Sequence, residues 1–349
     1  KGKNNRLTAS VVDGGTYKFF VHVEGTDHRI DHCYFANKSS ANPTLQIEVD
    51  PKTPNHHRLE RNHFGPRAPL GRNGGETIRI GYSHQSMSNS RTTVQENLFD
   101  RCDGEIEIIS SKSGENIYRA NTFRDCDGML TLRHGDRNVV DGNFFFGGRK
   151  PNSGGIRIIG EDHVVTNNYI EGVMKGGIWI TSGVPNSALN QYFVAQRAVI
   201  AGNTVVASAG PCLDLAAGLG GAGRTLRPEA IVVAQNLFVV GDDGSLLAGE
   251  AGADWIWQDN LAFGPTAAAR PGIALADPQL ARGPDGLLRP TAAGPARRAV
   301  AANHAALKTD VDGQPRTAPG DIGSDQLSSA PVIRRPLVAT DVGPVWYKR

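Results

Sequence analysis

The sequence lacks several features that identify common protein classes. Aromatic residues make up only 7% of the chain, the four cysteines show no Cys-x-x-Cys spacing, and the formal net charge is only +2. So small a charge gives no indication of a nucleic-acid partner, which would need a local basic patch. No apolar run is long enough to span a membrane. We therefore expect neither a zinc site built on cysteines nor nucleic-acid binding nor membrane insertion.

Turn-forming residues, by contrast, are abundant. The 349 residues include 42 glycines and 20 prolines, spread among many short apolar segments. This composition favours many short strands over long helices. The length alone fits two average domains or one longer all-β domain, so the repeat pattern has to decide.

A short motif recurs along most of the chain: a small residue or asparagine, then any residue, then an aromatic or aliphatic residue. Successive copies lie 22 to 35 residues apart. The short intervals suit one bare coil of a solenoid, and the long ones suit a coil plus a loop. The copies begin at Cys33, Asn62, Asn97, Asn121, Asn143, Asn168, Asn203, Asn236 and Asn260.

Each repeat also carries a second strand after a glycine, as in GETIRI, GEIEI, GMLTL, GGIRII and GGIWI. A unit of strand, turn, strand and turn without a helix predicts an all-β fold, a right-handed parallel β-helix. A propeller or a leucine-rich horseshoe is the alternative, but the intervals are too short for blades and the leucine consensus is missing. We expect the asparagines to stack at equivalent turns and to bond along the stack.

The two ends of the chain differ from its middle. We expect residues 1–349 to form one β-helix domain. From about residue 263, an Ala-, Gly- and Pro-rich sequence predicts an irregular cap over the open end, and the turn-rich tail is expected to pack back along the body. The first residues, KGKNNRLTAS, resemble the middle of a repeat, so we expect further coils before them. The lack of a leader then says little about the compartment. Cys102 and Cys126 occupy equivalent positions in successive repeats, which predicts stacked thiols.

Charged residues gather on one predicted outer face. In GEIEI, alternation places Ile106 and Ile108 inside and turns Glu105 and Glu107 outward. With Asn73 from the preceding coil, the glutamates form an all-oxygen set suited to a hard cation, Ca²⁺ before Mg²⁺ or Mn²⁺. On these three residues alone, a solvated acidic face is the simpler interpretation.

A lysine and an arginine near the acidic pair change that interpretation. Alternation turns Arg133 outward one repeat later, and Lys112 is expected in the connection just after the GEIEI strand. This set suits β-elimination in a polyuronate, where a cation stabilises the charge that develops on the sugar acid while a base removes the adjacent proton. A lysine base must first lose its own proton, which a nearby cation or desolvation favours. Arg133 would bind the carboxylate or help protonate the leaving oxygen, with water or His134 as other proton donors.

The segment from Asn73 to Gly148, with its motifs NGGE, GEIEI, SSKS and LRHG, resembles polysaccharide lyase family six, the group of alginate lyases and chondroitinase B. The resemblance extends from GTDHRIDHCYF to the DIGSDQ tail. It implies a parallel β-helix and a Ca²⁺-assisted β-elimination. The residue roles that it implies are Asn73, Glu105 and Glu107 as metal ligands, Lys112 as the base, and Arg133 as the second catalytic residue.

The same resemblance suggests further contacts. Arg157 is expected to bind a substrate carboxylate, and His134 and Tyr82 to contact sugar on the same surface. Trp179 is expected either to stack on a pyranose ring or to pack. His163 and Arg224 or Arg227 are weaker candidates.

We therefore predict a secreted or periplasmic lyase whose partner is an acidic polysaccharide, alginate before dermatan sulfate because the tail and the overall run resemble the alginate-active members. A non-catalytic polysaccharide-binding β-helix and an epimerase are the alternatives. The preference for mannuronate or guluronate blocks, endo or exo action and the oligomeric state are left open by the sequence.

Overall fold

The computed structural model describes residues 2–347, which form 32 short strands, numbered β1 to β32 in chain order, and two single-turn 3₁₀ helices. Each coil contributes one strand to each of three parallel sheets, and strands of neighbouring coils pair in register. The predicted parallel β-helix is confirmed, although each repeat holds three strands where the sequence predicted two. Within these residues no helix has the length and hydropathy needed to cross a membrane.

The strands fall into three long sheets and one hairpin. Sheet 1 contains β1 Arg6–Thr8, β4 Arg29–Asp31, β7 Arg58–Glu60, β10 Thr93–Gln95, β13 Ile117–Arg119, β16 Val139–Asp141, β19 Val164–Thr166, β22 Val199–Ala201, β25 Val232–Ala234 and β28 Ile256–Gln258. Sheet 2 contains β2 Val11–Gly15, β5 Tyr34–Lys38, β8 His63–Phe64, β11 Leu98–Asp100, β14 Thr122–Arg124, β17 Phe144–Phe146, β20 Tyr169–Glu171, β23 Thr204–Ser208, β26 Leu237–Val240, β29 Asn260–Phe263 and β30 Ile273–Leu275. Sheet 3 contains β3 Val21–Val23, β6 Leu45–Ile47, β9 Ile78–Ile80, β12 Glu107–Lys112, β15 Met129–His134, β18 Gly154–Ile158, β21 Gly176–Thr181, β24 Pro211–Ala217 and β27 Ser245–Ala248. The antiparallel hairpin is β31 Leu280–Arg282 with β32 Leu288–Pro290, and the 3₁₀ helices are Ser83–Gln85 and Ala339–Asp341.

An asparagine ladder runs along the corner between sheets 1 and 2. The side-chain amide of Asn97 donates to Oδ1 of Asn121 at 3.0 Å, and that of Asn121 donates to Oδ1 of Asn143 at 2.9 Å. The residue before each ladder asparagine has a φ between 51° and 64°, which turns the chain sharply at this corner. Since each ladder amide from Asn62 to Asn236 donates to the ladder asparagine of the next coil, the ladder fixes the register of the coils. The predicted stacking is confirmed for Asn62, Asn97, Asn121, Asn143, Asn168, Asn203, Asn236 and Asn260.

The interior is filled by columns of like side chains. Ring centroids of consecutive members of one aromatic column lie 4.5 to 5.5 Å apart. Each fully buried phenylalanine contributes about 1.5–3 kcal/mol relative to an exposed one. All four cysteines are buried and free, and the backbone N–H of Cys102 donates to Sγ of Cys126 at 3.3 Å, so the predicted stacked thiols are confirmed. The aromatic column consists of Phe35, Phe64, Phe99, Phe123 and Phe145.

The C-terminal part forms only a partial cap. Ile273 and Ala267 pack against the last coils, but from β31 onward the chain leaves the end and returns along the outside of the helix. The predicted return of the tail along the body is confirmed, whereas the predicted end cap is limited to the first residues after β29. Contacts of the returning chain, from late coils to the first, are Arg282 with Glu171, Arg316 with Asn167, Arg334 with Asp141, and Trp346 with Ala9.

Candidate active site

A cleft of about 720 Å³ lies on the outer face of sheet 3, over β9, β12, β15 and β18. The register places the outward residues Ser110, Thr131 and Arg157 side by side, because their neighbours in each strand fill the core. Loops before and after these strands form the walls of the cleft. The charged residues that line the cleft are Arg72, Asp103, Glu105, Glu107, Lys112, Asp127, Arg133 and Arg157.

Most of the predicted site residues come together here. Six of the nine line this one cleft, and the structure places the other three outside its lining. The six are Asn73, Glu105, Glu107, Lys112, Arg133 and Arg157; the three are His134, Tyr82 and Trp179.

Three carboxylates crowd one side of the cleft. Glu105 accepts a hydrogen bond from the backbone N–H of Gly74 at 2.9 Å, and burial, followed by the nearby Glu76 and Glu107, raises the pKa of Glu105 to about 7. Glu76 is only 1% exposed, and its Oε2 has no hydrogen-bond partner among the described residues. An orphaned buried carboxylate oxygen is costly, and a bound cation would relieve that cost. Glu76 is the glutamate of the NGGE motif that also supplies Asn73.

Glu107 stands between the acidic and the basic side of the cleft. Its Oε2 accepts a hydrogen bond from Oγ of Ser110 at 2.5 Å. Its Oε1 lies 3.8 Å from both Nε of Arg133 and Nη1 of Arg157, which is too long for hydrogen bonds. The two guanidinium groups therefore balance its charge without occupying this oxygen.

The guanidinium of Arg133 is held by a loop that sequence reasoning missed, residues 182–198 between β21 and β22. Its Nη1 donates to the carbonyl of Gln191 at 2.8 Å and its Nη2 to the carbonyl of Asn190 at 3.3 Å. The group also stacks on Tyr192, 4.2 Å from the ring centroid. The loop has no repeat motif, so no signal in the sequence connected it to β15.

A polar ladder at the strand entrances was also missed. Oδ1 of Asp103 accepts from the backbone N–H of Asp127 at 2.9 Å, and Oδ1 of Asp127 accepts from that of Asn152 at 2.6 Å. Lys150 pairs with Asp103. These contacts fix the chain just before β12, β15 and β18, and the Asp-Gly turn signals could have located them.

The predicted inward position of Ile106 is wrong. Ile106 is 39% exposed, while Ile108 and Ile109 are both buried. The strand begins only at Glu107, and a register shift between Glu107 and Ile109 breaks the alternation. Both glutamates still reach the cleft, Glu105 from the loop and Glu107 from the strand.

The predicted positions of Lys112 and His134 also need correction. Lys112 is the last residue of β12 and does not lie in a connection. His134 is fully buried: a register shift at the end of β12 sets it opposite Lys112, and its ring centroid lies 6.1 Å from that of Phe193 in the 182–198 loop. Burial, with Arg133 and Lys112 nearby, lowers the pKa of His134 to about 2. His134 is thus buried where the sequence predicted an exposed contact, and its contact with sugar stays a prediction.

The remaining candidates lie around the cleft. Tyr82 follows β9, with the guanidinium carbon of Arg79 4.6 Å from its ring centroid. Trp179 lies beside Arg157 in the register, and its Nε1 donates to the carbonyl of Lys175 at 3.2 Å. Their sugar contacts stay predictions. The weaker candidate His163 is buried and bonded to backbone, so it does not reach the outer face.

Fold and site together define a parallel β-helix protein with a charged cleft on the outer face of one sheet. Comparison with known families gives the next step, since the model of the family described as chondroitinase B matches residues 5–260. Solved structures of polysaccharide lyase family six also match at 33% identity. The chain belongs to polysaccharide lyase family six, as its motifs predicted.

Three solved structures illustrate the relationship. AlyGC, described as a family-six alginate lyase, is 33% identical with a TM-score of 0.81, and the match covers 98% of this chain and 45% of AlyGC. A mannuronic acid-specific family-six lyase from human gut microbiota is 33% identical with a TM-score of 0.68, covering 78% and 67%. A family-six alginate lyase in complex with a trisaccharide shares the fold at 22% identity and a TM-score of 0.70, covering 93% and 76%.

The match has a clear limit in length, because this chain spans less than half of AlyGC. A search of curated protein sequences found no significant match.

Proposed function

We propose that the protein is a lyase that cleaves alginate by metal-assisted β-elimination. The observation that carries this proposal is the single cleft in which Glu105 and Glu107 lie with Lys112, Arg133 and Arg157. AlyGC, described as an alginate lyase, and the relative described as a mannuronic acid-specific lyase support the choice of substrate. A binding module would have no need for a lysine beside a buried acidic cluster.

The residues present fit a calcium ion. Asn73, Glu105 and Glu107 would hold it through oxygen atoms, the donors that Ca²⁺ prefers. The orphaned Oε2 of buried Glu76 is further support, because Arg79 pairs only with the other oxygen of this carboxylate, at 3.4 Å. When bound, Ca²⁺ would stabilise the charge that develops on the sugar carboxylate as the proton leaves the adjacent carbon.

The chain's own groups then have distinct tasks. The amine of Lys112 takes the proton from C5, the electron pair forms the C4–C5 double bond, and the C4–O bond breaks. Arg133 and Arg157 bind the uronate carboxylate and orient the ring. Since His134 is buried and neutral, we assign protonation of the leaving oxygen to water and not to this histidine.

Dermatan sulfate is the second candidate substrate, because the matching family model is that of chondroitinase B. Alginate carries a carboxylate on every sugar, whereas dermatan sulfate carries one only on its uronic acids. The arginines that line the cleft do not by themselves distinguish alginate from dermatan sulfate as the substrate.

The test is the ultraviolet absorbance of the unsaturated uronate product. Alginate, poly-mannuronate, poly-guluronate and dermatan sulfate would each be incubated with the protein, with calcium or with a chelator. We expect product from alginate in the presence of calcium and little after chelation. Binding without product would contradict the lyase and support a binding module. Inverted sugars without unsaturated product would support an epimerase.

We also propose that the protein acts outside the cytoplasm, secreted or periplasmic. A polymeric substrate does not cross the inner membrane, so its depolymerase has to meet it outside. Fractionation of cells that produce the native precursor tests this placement, and recovery in the cytoplasm alone would contradict it.

A further inference from the structure

The 182–198 loop lies over the cleft, and backbone hydrogen bonds hold it in place, both within the loop and to Leu226. Gly183 and Leu226 exchange backbone hydrogen bonds of 2.9 Å, and the N–H of Val184 donates to the carbonyl of Tyr192 at 2.8 Å. These bonds tie both the start of the loop and the backbone of Tyr192. The aromatic ring is thus presented to the cleft from a fixed backbone.

Three guanidinium groups surround the ring of Tyr192. Their central carbons lie 4.2 Å (Arg133), 4.5 Å (Arg224) and 5.5 Å (Arg157) from its centroid. Within residues 2–347, only Glu107 is an acidic partner of any of the three, at 3.8 Å from two of them. Repulsion among three cations would spread these long side chains, and the electron-rich ring face opposes that spreading.

Arg133 is the group most dependent on this arrangement. Its Nη1 and Nη2 each donate a hydrogen bond, to the carbonyls of Gln191 and Asn190, and its flat face lies on the ring. Only its Nε is then turned toward Glu107. Loss of the ring would leave an arginine with four rotatable bonds free to choose other orientations.

We propose that Tyr192 is a positioning residue that holds the guanidinium of Arg133 beside Glu107 for substrate. This inference rests on the proposed lyase function and adds a residue outside the strands to it. The ring face carries the effect, so phenylalanine satisfies the requirement and alanine does not.

The first experiment compares Tyr192→Ala and Tyr192→Phe with the wild type in the unsaturated-product assay. We expect Tyr192→Ala to lower kcat/KM roughly tenfold or more, with part of the loss in kcat. Tyr192→Phe is expected to stay within about twofold of the wild type. Leu189→Ala is the matched control, because Leu189 is an exposed residue of the same loop outside the lining of the cleft. Thermal unfolding of all variants identifies any that fail to fold.

A double-mutant cycle with Arg133→Lys separates positioning from general support of the loop. Lysine does not reproduce the stacked, forked contact. If Tyr192 acts through Arg133, adding Tyr192→Ala to Arg133→Lys should cost less than about threefold. Equal losses in both backgrounds, or a loss in Tyr192→Phe as large as in Tyr192→Ala, would overturn the proposal.

Calorimetric affinity for an alginate oligosaccharide keeps this inference separate from the proposed function. Absence of product from the wild type would count against the lyase. In that event the double-mutant cycle is repeated with the affinity for the oligosaccharide as the measured quantity. Tyr192→Ala is expected to weaken binding when residue 133 is arginine but not when it is lysine. Unchanged affinity in Tyr192→Ala would reject the positioning role.

Discussion

Two carboxylate clusters within residues 2–347 differ in their surroundings. Glu105 and Glu107 line the cleft, and buried Glu76 lies near enough to help raise the pKa of Glu105. Asp310, Asp312 and Asp325 belong to the returning C-terminal chain, where their oxygens lie within 4.8 Å of one another. By proximity alone, the second cluster is the better metal site.

The partners of each cluster reverse that ranking. Arg289 binds Asp312 at 2.8 Å and also pairs with Asp325, and Arg297 binds Asp325 at 2.6 Å. Asp310 accepts backbone hydrogen bonds of 2.8 and 3.1 Å. The C-terminal charges are therefore balanced by the protein itself, and this network fastens the returning chain.

In the cleft, by contrast, one buried carboxylate oxygen has no partner, and the nearest guanidinium groups stay 3.8 Å from Glu107. A buried carboxylate oxygen without a partner, more than the number of carboxylates, distinguishes the proposed cation site from a cluster that fastens the fold. The proposed cation site is therefore the one in the cleft.

The largest expected effect comes from the base. Lys112→Arg keeps a positive charge but removes an amine that can lose its proton, so we expect kcat to fall about 10²–10⁴-fold. Product absorbance with alginate measures the loss. Exposed Lys52→Arg is the matched control and should act like the wild type. Near-normal turnover by Lys112→Arg would remove Lys112 from the reaction.

The next largest effect is expected from a carboxylate of the cleft. Glu105→Gln removes one charged oxygen ligand for calcium, and we expect the calcium concentration for half-maximal activity to rise at least roughly tenfold. The exposed Glu250→Gln controls for the loss of a glutamate charge. A calcium requirement identical to that of the wild type would show that Glu105 is no ligand.

The matching change in the C-terminal cluster is expected to act on stability. Asp312→Asn leaves half-buried Arg289 short of one partner, which should lower the free energy of unfolding by about 2 kcal/mol. Denaturant unfolding measures the change, with exposed Asp242→Asn as control. The calcium requirement of the folded variant should not change; a shifted requirement would mean that the C-terminal cluster also binds the ion.

The smallest effect concerns pH in the absence of calcium. The pKa of Glu105 is about 7, above its ordinary value of 4.5, so the ionised carboxylate costs the folded state stability. That cost is absent below about pH 4.5, grows between 4.5 and 7, and is full above 7. With chelator present, we expect Glu105→Gln to unfold at a higher temperature than the wild type above pH 7 and at an equal temperature at low pH. Equal melting at both pH values would contradict the buried, uncompensated charge.

Much of the fold follows from residues that repeat. An asparagine that must satisfy its amide in the next coil recurs at one corner, so spacing alone predicts the ladder. The aromatic column was not predicted, since the residue two positions later is phenylalanine only in some of the repeats. The motifs around Glu107, Lys112 and Arg133 likewise lie on consecutive coils, which brings them to one face. The third strand of each coil was missed because its short, three-residue segments carry no separate signal.

The errors arise where local geometry departs from the repeat. A register shift in β12 displaced Ile106 to the surface, and a second shift, between Ser111 and Lys112, pairs Lys112 with His134 and interrupts the alternation at Arg133. Tyr192 contacts residues of three different segments through a loop without a motif. Such contacts depend on long-range packing, which no spacing within the chain encodes.

The most direct test of the central claim is the calcium dependence of unsaturated-product formation in Glu105→Gln and Asp312→Asn, measured side by side with the wild type on alginate. The account predicts a raised calcium requirement in Glu105→Gln and an unchanged one in folded Asp312→Asn. A raised calcium requirement in Asp312→Asn alone, or wild-type product formation that a chelator leaves unchanged, would contradict a cation site in the cleft.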